Sequence, residues 1–424
     1  MATPVEPIVF DEAGTWRWHV RTGSIHETTD ALSRLWGLVA EEATNESIGG
    51  PAGHEFAHGD PRLASHMRGA AGSSHEDGVR VRTRTSVLTL VVVAPRPELV
   101  DRAMATVATL ASRHPSRAVV LSPTDPDGPS SFEAHVYASC QLPEKGSSEI
   151  CTEEILIKVG GELAQHLSST VAPLLIHDLP VVLWWPDDVP FGRADFTELS
   201  EECNRLFIDS GQFRRHGLSR LAAMSEAVRG GLVVHDVSWM RLMLWRELLA
   251  SCFDHPLLVR ELRHLHSISV DVARPGGDVR LSRAVLFVGW LLARLRLQVV
   301  EPLHAADDDT WVAVARSGRR HIAIEVRPVE VEFSGAVRAT GSVVRTELES
   351  RRSDARTVVN VTRQADHLLA TAVWNGASVV RRASKLEAFE EAPYRADALD
   401  RTGHDRLFAQ ALAKAVALVG DKTP

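Results

Sequence analysis

Residues 87–94, Val-Leu-Thr-Leu-Val-Val-Val-Ala, decide the fold class, because they form an apolar, β-branched run that ends at Pro95. Unbroken apolar strands are typical of parallel sheets that are covered on both faces. Further apolar segments follow along the chain, separated by segments with helical spacing: Ala118–Leu121, Leu179–Trp185 and Arg205–Asp209. This alternation predicts an α/β domain over residues 81–235, with a largely parallel sheet and flanking helices.

The pattern of the chain changes after residue 235. Beyond residue 310, strand-like segments are joined by the tight turns Ser317–Gly318 and Asn375–Gly376. Asn-Gly supplies the two positive φ angles that a type I′ hairpin turn needs. Apolar spacing also predicts three helices: Trp239–Ser251, Leu281–Arg296 and Asp397–Leu418. We therefore expect an α+β domain over residues 236–424, with antiparallel hairpins and a C-terminal helix.

Residues 1–80 have the weakest pattern. Leu32, Leu35, Trp36 and Val39 share one helical face, which predicts a helix at Asp30–Glu42. Residues 43–78 are rich in Gly, His and Pro and contain few large apolar side chains, so they are predicted to form a loop. The sequence thus predicts an N-terminal arm with one helix and a His/Gly-rich loop.

Composition excludes several classes of protein. The 424 residues carry a formal net charge of −8, whereas a nucleic-acid-binding domain usually has a basic surface. The longest apolar run, Ala284–Ala293, is about half of the ~20 residues that a membrane-spanning helix needs. The N-terminus lacks the pattern of a signal peptide. Four cysteines without a CxxC motif favour a cytoplasmic protein.

One metal-site motif is present, at His54-Glu55-Phe56-Ala57-His58. The HExxH pattern places two imidazoles on one helical face to bind Zn²⁺, with the glutamate acting on a water molecule. Pro51 and Gly59 border this segment and no apolar stripe surrounds it, so a polar loop is the favoured interpretation. The alternative is a zinc-dependent hydrolase that uses His54, Glu55 and His58.

Other chemical signatures are weak or absent from the sequence. It contains no P-loop, no GxGxxG after a strand and no GxSxG, so we predict no catalytic residue, no cofactor and no metal. Gly160–Gly161 fits a tight strand–helix turn better than an anion site. Cys140 and Cys151 approach each other if their strands pair, either as a redox pair or, preferably, as two small buried residues. A sugar-phosphate or nucleotide site at the sheet edge remains a third hypothesis.

Tryptophan and arginine are concentrated in two segments. Trp184 and Trp185 end a strand, and Arg241 and Arg246 lie in a helix beside further tryptophans. Consecutive strand residues point to opposite faces, so at least one of these tryptophans either leaves the core of the sheet or meets another layer. Packing between domains explains such a pattern, and so does a protein interface, where Trp and Arg are enriched. The interface hypothesis assigns partner binding to Trp184, Trp185, Arg241 and Arg246.

In these segments the chain resembles the OpcA family, the glucose-6-phosphate dehydrogenase assembly proteins. The matching motifs occur in the family's order: Arg84–Val93, His114–Arg117, Asp178–Trp185, Phe207–Ser210, Trp239–Phe253 and Val288–Leu291. The resemblance covers residues 80–300 and, more loosely, the C-terminus. It departs from the family pattern at Thr89, where the family is expected to have Asn.

The resemblance implies a non-catalytic protein with one protein partner, glucose-6-phosphate dehydrogenase. A member of this family is expected to act as an assembly factor and allosteric activator that raises the activity of the dehydrogenase. This function belongs to the oxidative pentose phosphate pathway. The lack of a complete catalytic motif in the sequence agrees with that expectation.

Overall fold

The computed structural model describes residues 6–8, 16–47, 82–84, 86–111, 113–141, 149–213, 217–307, 310–331, 340–386 and 391–420. Over these residues the protein is α/β and has two mixed sheets. The N-terminal sheet is rich in parallel pairs and the C-terminal sheet is mainly antiparallel, which confirms the predicted fold class. The loop predicted at residues 43–78 is wrong for residues 43–47, which belong to the helix Ile25–Ser47, and the rest of it, with the HExxH motif, lies outside the described residues.

The chain forms two compact units. The first comprises residues 1–90 and 100–179, and the second comprises residues 91–99 and 180–424. The predicted domain boundaries at residues 80 and 235 stay predictions. None of the helices in the described segments is both long and apolar enough to cross a membrane.

Antiparallel and parallel pairing meet at one strand of the first unit. The strands are β1 Glu6–Ile8, β2 Trp16–Thr22, β3 Arg82–Arg84, β4 Leu88–Val93 (which crosses the division between the units), β5 Ser116–Pro123, β6 Ser131–Gln141 and β7 Glu149–Gly160. β7 pairs antiparallel with β6 and parallel with β5 and β3. All six residues of β4 are buried, as their apolar sequence predicts.

Among the described residues, these strands are accompanied by the helices α1 Ile25–Ser47, α2 Pro97–Leu110 (whose first three residues belong to the second unit), α3 Glu162–Gln165 and α4 Leu167–Val171. The predicted N-terminal helix is confirmed by α1. In the first unit, Leu32 and Leu35 of α1 are buried together with Trp18 and Val20 of β2. The helix predicted after Gly161 is instead divided into α3 and α4 at His166.

The second unit begins with parallel strands and connecting helices: β8 Val181–Trp185, α5 Ala194–Glu201, β9 Arg205–Ile208, α6 Leu218–Arg229 and β10 Val233–Asp236. β9 pairs parallel with both β8 and β10. The carboxyl ends of these three strands therefore lie along one edge of the sheet, where α/β folds usually place functional groups.

The remaining helices of the second unit are α7 Val237–Arg241, α8 Met243–Cys252, α9 Pro256–Glu261, α10 Ser282–Arg294, α11 Glu391–Asp400 and α12 Arg406–Val419. Two single helices predicted from apolar spacing are each interrupted. The helix predicted at Trp239–Ser251 is broken at Leu242. The helix predicted at Asp397–Leu418 is broken before Asp405, whose side chain accepts a hydrogen bond from the Phe408 N–H at 2.9 Å and begins α12.

A second sheet occupies the C-terminal half of this unit. Its strands are β11 Leu265–Ala273, β12 Gln298–Asp307, β13 Thr310–Ser317, β14 Arg320–Val329, β15 Val343–Arg352, β16 Ala355–Arg363, β17 His367–Trp374 and β18 Ala377–Lys385. The order is β12-β13-β14-β11-β15-β16-β17-β18, and only the β11–β14 pair is parallel. Asn375 and Gly376 have φ angles of 46° and 84°, which confirms the predicted hairpin.

Candidate functional site

Carboxylates end two neighbouring parallel strands in the second unit. Asp209 follows β9 directly, and Asp236 is the last residue of β10. The register pairs Asp236 with Ile208, so the two aspartates are at the same edge of the sheet. Together with Ser238, Arg241 and Arg283 they form a buried group, called the Asp209 cluster below.

Asp236 accepts hydrogen bonds at both of its carboxylate oxygens. Its Oδ1 accepts from the Ser210 N–H at 2.9 Å and the Ser238 N–H at 3.0 Å, and its Oδ2 accepts from the Ser210 hydroxyl at 2.7 Å. The bond from Ser238 makes Asp236 the N-cap of α7, as its sequence position allows. Burial and the negative charge of Asp209 raise the pKa of Asp236 to about 6.

Asp209 is the ionised partner of the pair. Its carboxylate accepts hydrogen bonds from Arg241 Nη1 at 2.8 Å, the Gly211 N–H at 3.1 Å and the Ser238 hydroxyl. Burial alone would raise its pKa, but the charges of Arg241 and Arg283 and these hydrogen bonds lower the pKa well below its ordinary value. Two carboxylates in similar positions thus have opposite pKa shifts.

Arg283 connects the Asp209 cluster to two distant parts of the chain. It lies in α10, and its Nη2 is 3.7 Å from Asp209 Oδ1. Its Nε donates to the Ser238 hydroxyl and its Nη1 to the Ser342 hydroxyl, both at 2.9 Å. A Cβ added at Gly211 would lie 2.4 Å from Arg283 Nη2, so any larger residue there would displace the guanidinium. The cluster therefore joins the ends of β9 and β10 to α7, α10 and the segment before β15.

The two predicted tryptophans lie inside the protein. Trp184 and Trp185 are 3% and 6% exposed. Trp184 packs edge-to-face against Phe207 of β9, with ring centroids 6.3 Å apart, and Trp185 packs against Phe196 of α5 at 5.6 Å. Both faces of β8 are thus covered within the second unit. The assignment of these residues to partner binding stays a prediction, and direct contact would require part of this packing to open.

The two predicted arginines have different surroundings. Arg241 belongs to the Asp209 cluster, whereas the guanidinium carbon of Arg246 lies 3.4 Å from the ring centroid of Trp239. Arg246 also donates to the Trp239 and Leu242 carbonyl oxygens at 3.3 Å.

Cys140 and Cys151 form a disulfide bond. They are directly opposite each other in the β6–β7 pair, and both are buried. The expectation that paired strands bring them together is confirmed, but the preferred interpretation as two separate buried thiols is wrong. Cys203 and Cys252 are not disulfide-bonded. Burial and the charge of Glu202 raise the pKa of Cys203 to about 12, so this thiol is not ionised at neutral pH.

The structure tests two of the other candidate sites only in part. His54, Glu55 and His58 lie outside the described residues. Among the residues that the structure does describe, no group of three His, Cys, Asp or Glu side chains is placed to hold a metal ion. Gly161 has a φ of 61°, and a Cβ there would lie 2.6 Å from the Ser130 nitrogen. This close approach favours the tight-turn interpretation of the glycine pair.

Asp209 and Arg283 were not predicted as site residues. The available signal was the acidic residue at the end of each short strand, because the carboxyl ends of neighbouring parallel strands share an edge. Arg283 had no local signal. It is 74 residues from Asp209 in the numbering of the chain, and only the tertiary fold brings them together.

Comparison with known protein families gives two matches that follow each other along the chain. Both family models describe a "Glucose-6-phosphate dehydrogenase subunit". The model of its N-terminal domain matches residues 107–226. The model of its C-terminal domain matches residues 232–412. Together these two regions make up most of the chain.

Relatives in cyanobacteria carry the name "Putative OxPP cycle protein OpcA". The relative from Nostoc punctiforme is 28% identical over 253 residues, which are 59% of this chain and 53% of the relative. The relative from Synechococcus elongatus is 25% identical over 315 residues, which are 73% of this chain and 69% of the relative. The match thus spans about half the length of the first relative.

Solved structures show only a weak likeness. A crystal structure of KijD10, a 3-ketoreductase from Actinomadura kijaniata, matches with a TM-score of 0.41 and 11% identity, over 78% of this chain and 95% of that chain. A likeness this weak says nothing about the function of the chain. The two domain matches, in contrast, are consecutive and cover most of the sequence, and they show that the chain belongs to the OpcA family of glucose-6-phosphate dehydrogenase assembly proteins.

Proposed function

We propose that this chain is a non-catalytic partner of glucose-6-phosphate dehydrogenase that binds the enzyme and raises its activity. The proposal places the chain in the cytoplasm and in the oxidative pentose phosphate pathway. The observation that carries it is the pair of consecutive domain matches, whose descriptions name a subunit of that dehydrogenase. The names of the cyanobacterial relatives, which refer to the OxPP cycle, support the same pathway.

The geometry of the Asp209 cluster supports a structural role for its acidic groups. Asp209 is engaged by Arg241, and Asp236 accepts three hydrogen bonds from Ser210 and Ser238. A general acid or base needs a proton-transferring atom that can reach its substrate. These carboxylates are directed at the protein itself, so the cluster fits a rigid connection between elements better than a catalytic centre.

An activator of this kind works through differential binding. It must bind the active conformation of the dehydrogenase more tightly than the inactive one. A coupling free energy of about 1–3 kcal/mol changes the apparent affinity for substrate by about 5- to 150-fold. A rigid activator suits this role, because it does not lose binding free energy to its own ordering.

For the contact surface we propose the region around Arg246, with Trp184, Trp185 and Arg241 as its support. Arg246 is half-buried on the ring of Trp239, and this contact fixes its direction. Met243, one turn earlier in α8, is 37% exposed. Methionine and arginine are both enriched where proteins bind each other.

Size-exclusion chromatography of the chain mixed with the dehydrogenase of the same organism tests this proposal. We expect the two proteins to elute together. The Arg246→Ala variant should bind the dehydrogenase at least about tenfold more weakly, which is a typical loss for an interface residue that contributes strongly to the binding free energy. The matched control is Arg229→Ala, which removes an exposed arginine of α6 and should bind normally. Separate elution of the two unmodified proteins, with no change in enzyme activity, would contradict the proposal.

A further inference from the structure

One face of the second sheet is open among the residues that the structure describes. Residues alternate along each strand, and those on one face are buried, as shown by Ile268 and Val270 of β11. Helices α8 and α10 contact this sheet, at β16–β18 and at β11 respectively. Residues on the other face, called the open face below, are mostly half-exposed in β13, β14, β15, β16 and β17.

The strand register arranges the open face into rows that cross the sheet. One row runs through six successive strands from β13 to β17 by way of β11: Val312, Glu325, Ser269, Glu347, Asn360 and Thr371. The neighbouring row on one side begins with Val314 in β13 and Ala323 in β14, and it ends with Val358 in β16 and Val373 in β17. The row on the other side contains Asp271 next to Arg345.

Charge is concentrated in the centre of the open face and apolar side chains lie on both sides. Arg327 Nε donates to Asp271 Oδ1 at 2.8 Å, and Arg345 pairs with Glu347. These residues belong to β14, β11 and β15. Val314 in β13 and Val373 in β17 are placed at equal numbers of strands from the middle of the sheet, which falls between β11 and β15.

We propose that the open face binds the same face of a second copy of this chain. A two-fold axis parallel to the strands, passing between β11 and β15, places β13 over β17 and β14 over β16 of the other copy. In these rows Val314 then faces Val373, and Ala323 faces Val358. Asp271 faces Arg345, so opposite charges meet at the centre.

The same two-fold axis places no two like charges opposite each other in these three rows. Arg327 faces Thr362, Glu325 faces Asn360 and Glu347 faces Ser269. Like charges held face to face at an interface are costly, so their absence favours this arrangement. A C₂ interface must be self-complementary in this way, because each residue meets its partner twice.

The size of the open face also fits a dimer. Eight strands spaced about 4.8 Å apart, each of eight to ten residues and thus about 26–33 Å long, present an area of roughly 1,000–1,300 Å². A stable interface of standard size buries about 800 Å² on each partner. Aligned sheets that pack face to face are a common arrangement in proteins.

Sedimentation velocity of the full chain over a range of concentrations tests the proposal. We expect a concentration-dependent dimer, and Val314→Asp should weaken self-association by at least about tenfold, because it places a carboxylate in the apolar contact. The matched control is Val259→Asp, at a position on α9 that is 48% exposed and away from the sheet. A chain that stays monomeric, or a dimer that Val314→Asp leaves unchanged, would overturn the proposal.

Cross-linking tests the direction of the axis. Val314→Cys and Val373→Cys variants, mixed and treated with a short bismaleimide, should give a cross-linked pair. Val314→Cys alone should not, because position 314 lies about 24 Å from its equivalent in the second copy. The unmodified chain measures the background from Cys203 and Cys252. Linking only within identical variants would overturn this arrangement.

These tests also separate the second copy from the dehydrogenase as the occupant of the open face. If the chain alone stays monomeric and Val314→Asp abolishes its binding to the dehydrogenase, the face belongs to the enzyme and the proposed dimer is refuted. If the chain dimerises through this face but does not bind the dehydrogenase, the proposed function fails and the dimer stands.

Discussion

Aspartate–arginine pairs occur in two contrasting regions of the second unit. In the Asp209 cluster the side chains of Arg241 and Arg283 are 9% and 3% exposed, and Ser238 and Ser342 accept hydrogen bonds from Arg283. On the open face, Arg327 and Arg345 are 38% and 42% exposed. Arginines paired with carboxylates are therefore buried and connect elements of the fold in one region, whereas in the other region they lie partly exposed on the surface of a sheet.

The difference between these regions shows how burial sets the importance of a charge pair. In water, a pair contributes little because solvent screens it and the side chains lose entropy when they are held. In the interior, loss of one member leaves a desolvated charge without its counter-charge. We therefore expect large effects from single substitutions in the Asp209 cluster and small effects on the stability of the chain from those on the open face.

The largest effect is expected from Asp209→Asn. The substitution removes the carboxylate that pairs with both Arg241 and Arg283 and leaves two buried cations with Asp236 alone, so the free energy of unfolding should fall by about 3–5 kcal/mol. The control is Glu325→Gln, which removes a charge next to Arg327 on the open face and should change stability by about 1 kcal/mol or less. Urea unfolding at pH 7.5 measures both. Equal losses in the two variants would show that burial is not the cause.

Gly211→Ala should have the next largest effect. The added Cβ would lie 2.4 Å from Arg283 Nη2 and push the guanidinium away from Ser238 and Asp209. Overpacking of this kind costs about 1–3 kcal/mol. Gly403→Ala is the matched control, because nothing would lie within 4 Å of a Cβ added at that position. A thermal melt in which both variants lose the same stability would show that the close packing of Arg283 is not needed.

Asp236→Asn sharpens the comparison within the cluster, because its effect should depend on pH. The folded-state pKa of Asp236 is raised from 3.8 to about 6, so the folded state binds the proton more tightly than the unfolded state does. The stability of the unmodified protein should fall relative to Asp236→Asn as pH rises from about 4 to about 6, by up to about 3 kcal/mol, and the difference should stay constant above that range. Unfolding in urea at several pH values measures it. A difference that does not vary with pH would contradict the raised pKa.

The smallest effect on stability is expected from Arg246→Met, which keeps an unbranched, flexible side chain and removes the charge over Trp239. A partly exposed cation–π contact contributes about 0.5–1 kcal/mol. Activation of the dehydrogenase should fall much more than stability if Arg246 is part of the contact surface. Full activation by a folded Arg246→Met protein, and likewise by a folded Trp184→Ala protein, would remove these residues from the proposed interface.

The features that the sequence predicts well are those with a local physical cause. Asn375–Gly376 required positive φ angles, and the apolar run of β4 required burial on both faces. The break at Leu242, in contrast, is not marked in the sequence by a helix-breaking Gly or Pro. β15 and β16 were not predicted individually, although their buried residues alternate with more exposed ones, which is the pattern of a half-buried strand.

The candidate site was predicted only in part for a related reason. Arg241 was noted from the sequence because it lies in a segment rich in Trp and Arg, and Asp236 is the N-cap of the same helix. Asp209 and Arg283 meet only through the packing of α10 against the ends of the strands. The bond between Cys140 and Cys151 likewise depends on the exact pairing of β6 with β7, which a spacing of 11 residues does not specify.

The proposed function is tested most directly by a glucose-6-phosphate titration of the dehydrogenase from the same organism, with increasing amounts of this chain. An activator that binds the active conformation predicts a lower apparent KM, which reaches a limit once the enzyme is saturated with the chain. An apparent KM and a kcat that stay constant at every ratio of the two proteins, under conditions where both are folded, would contradict it.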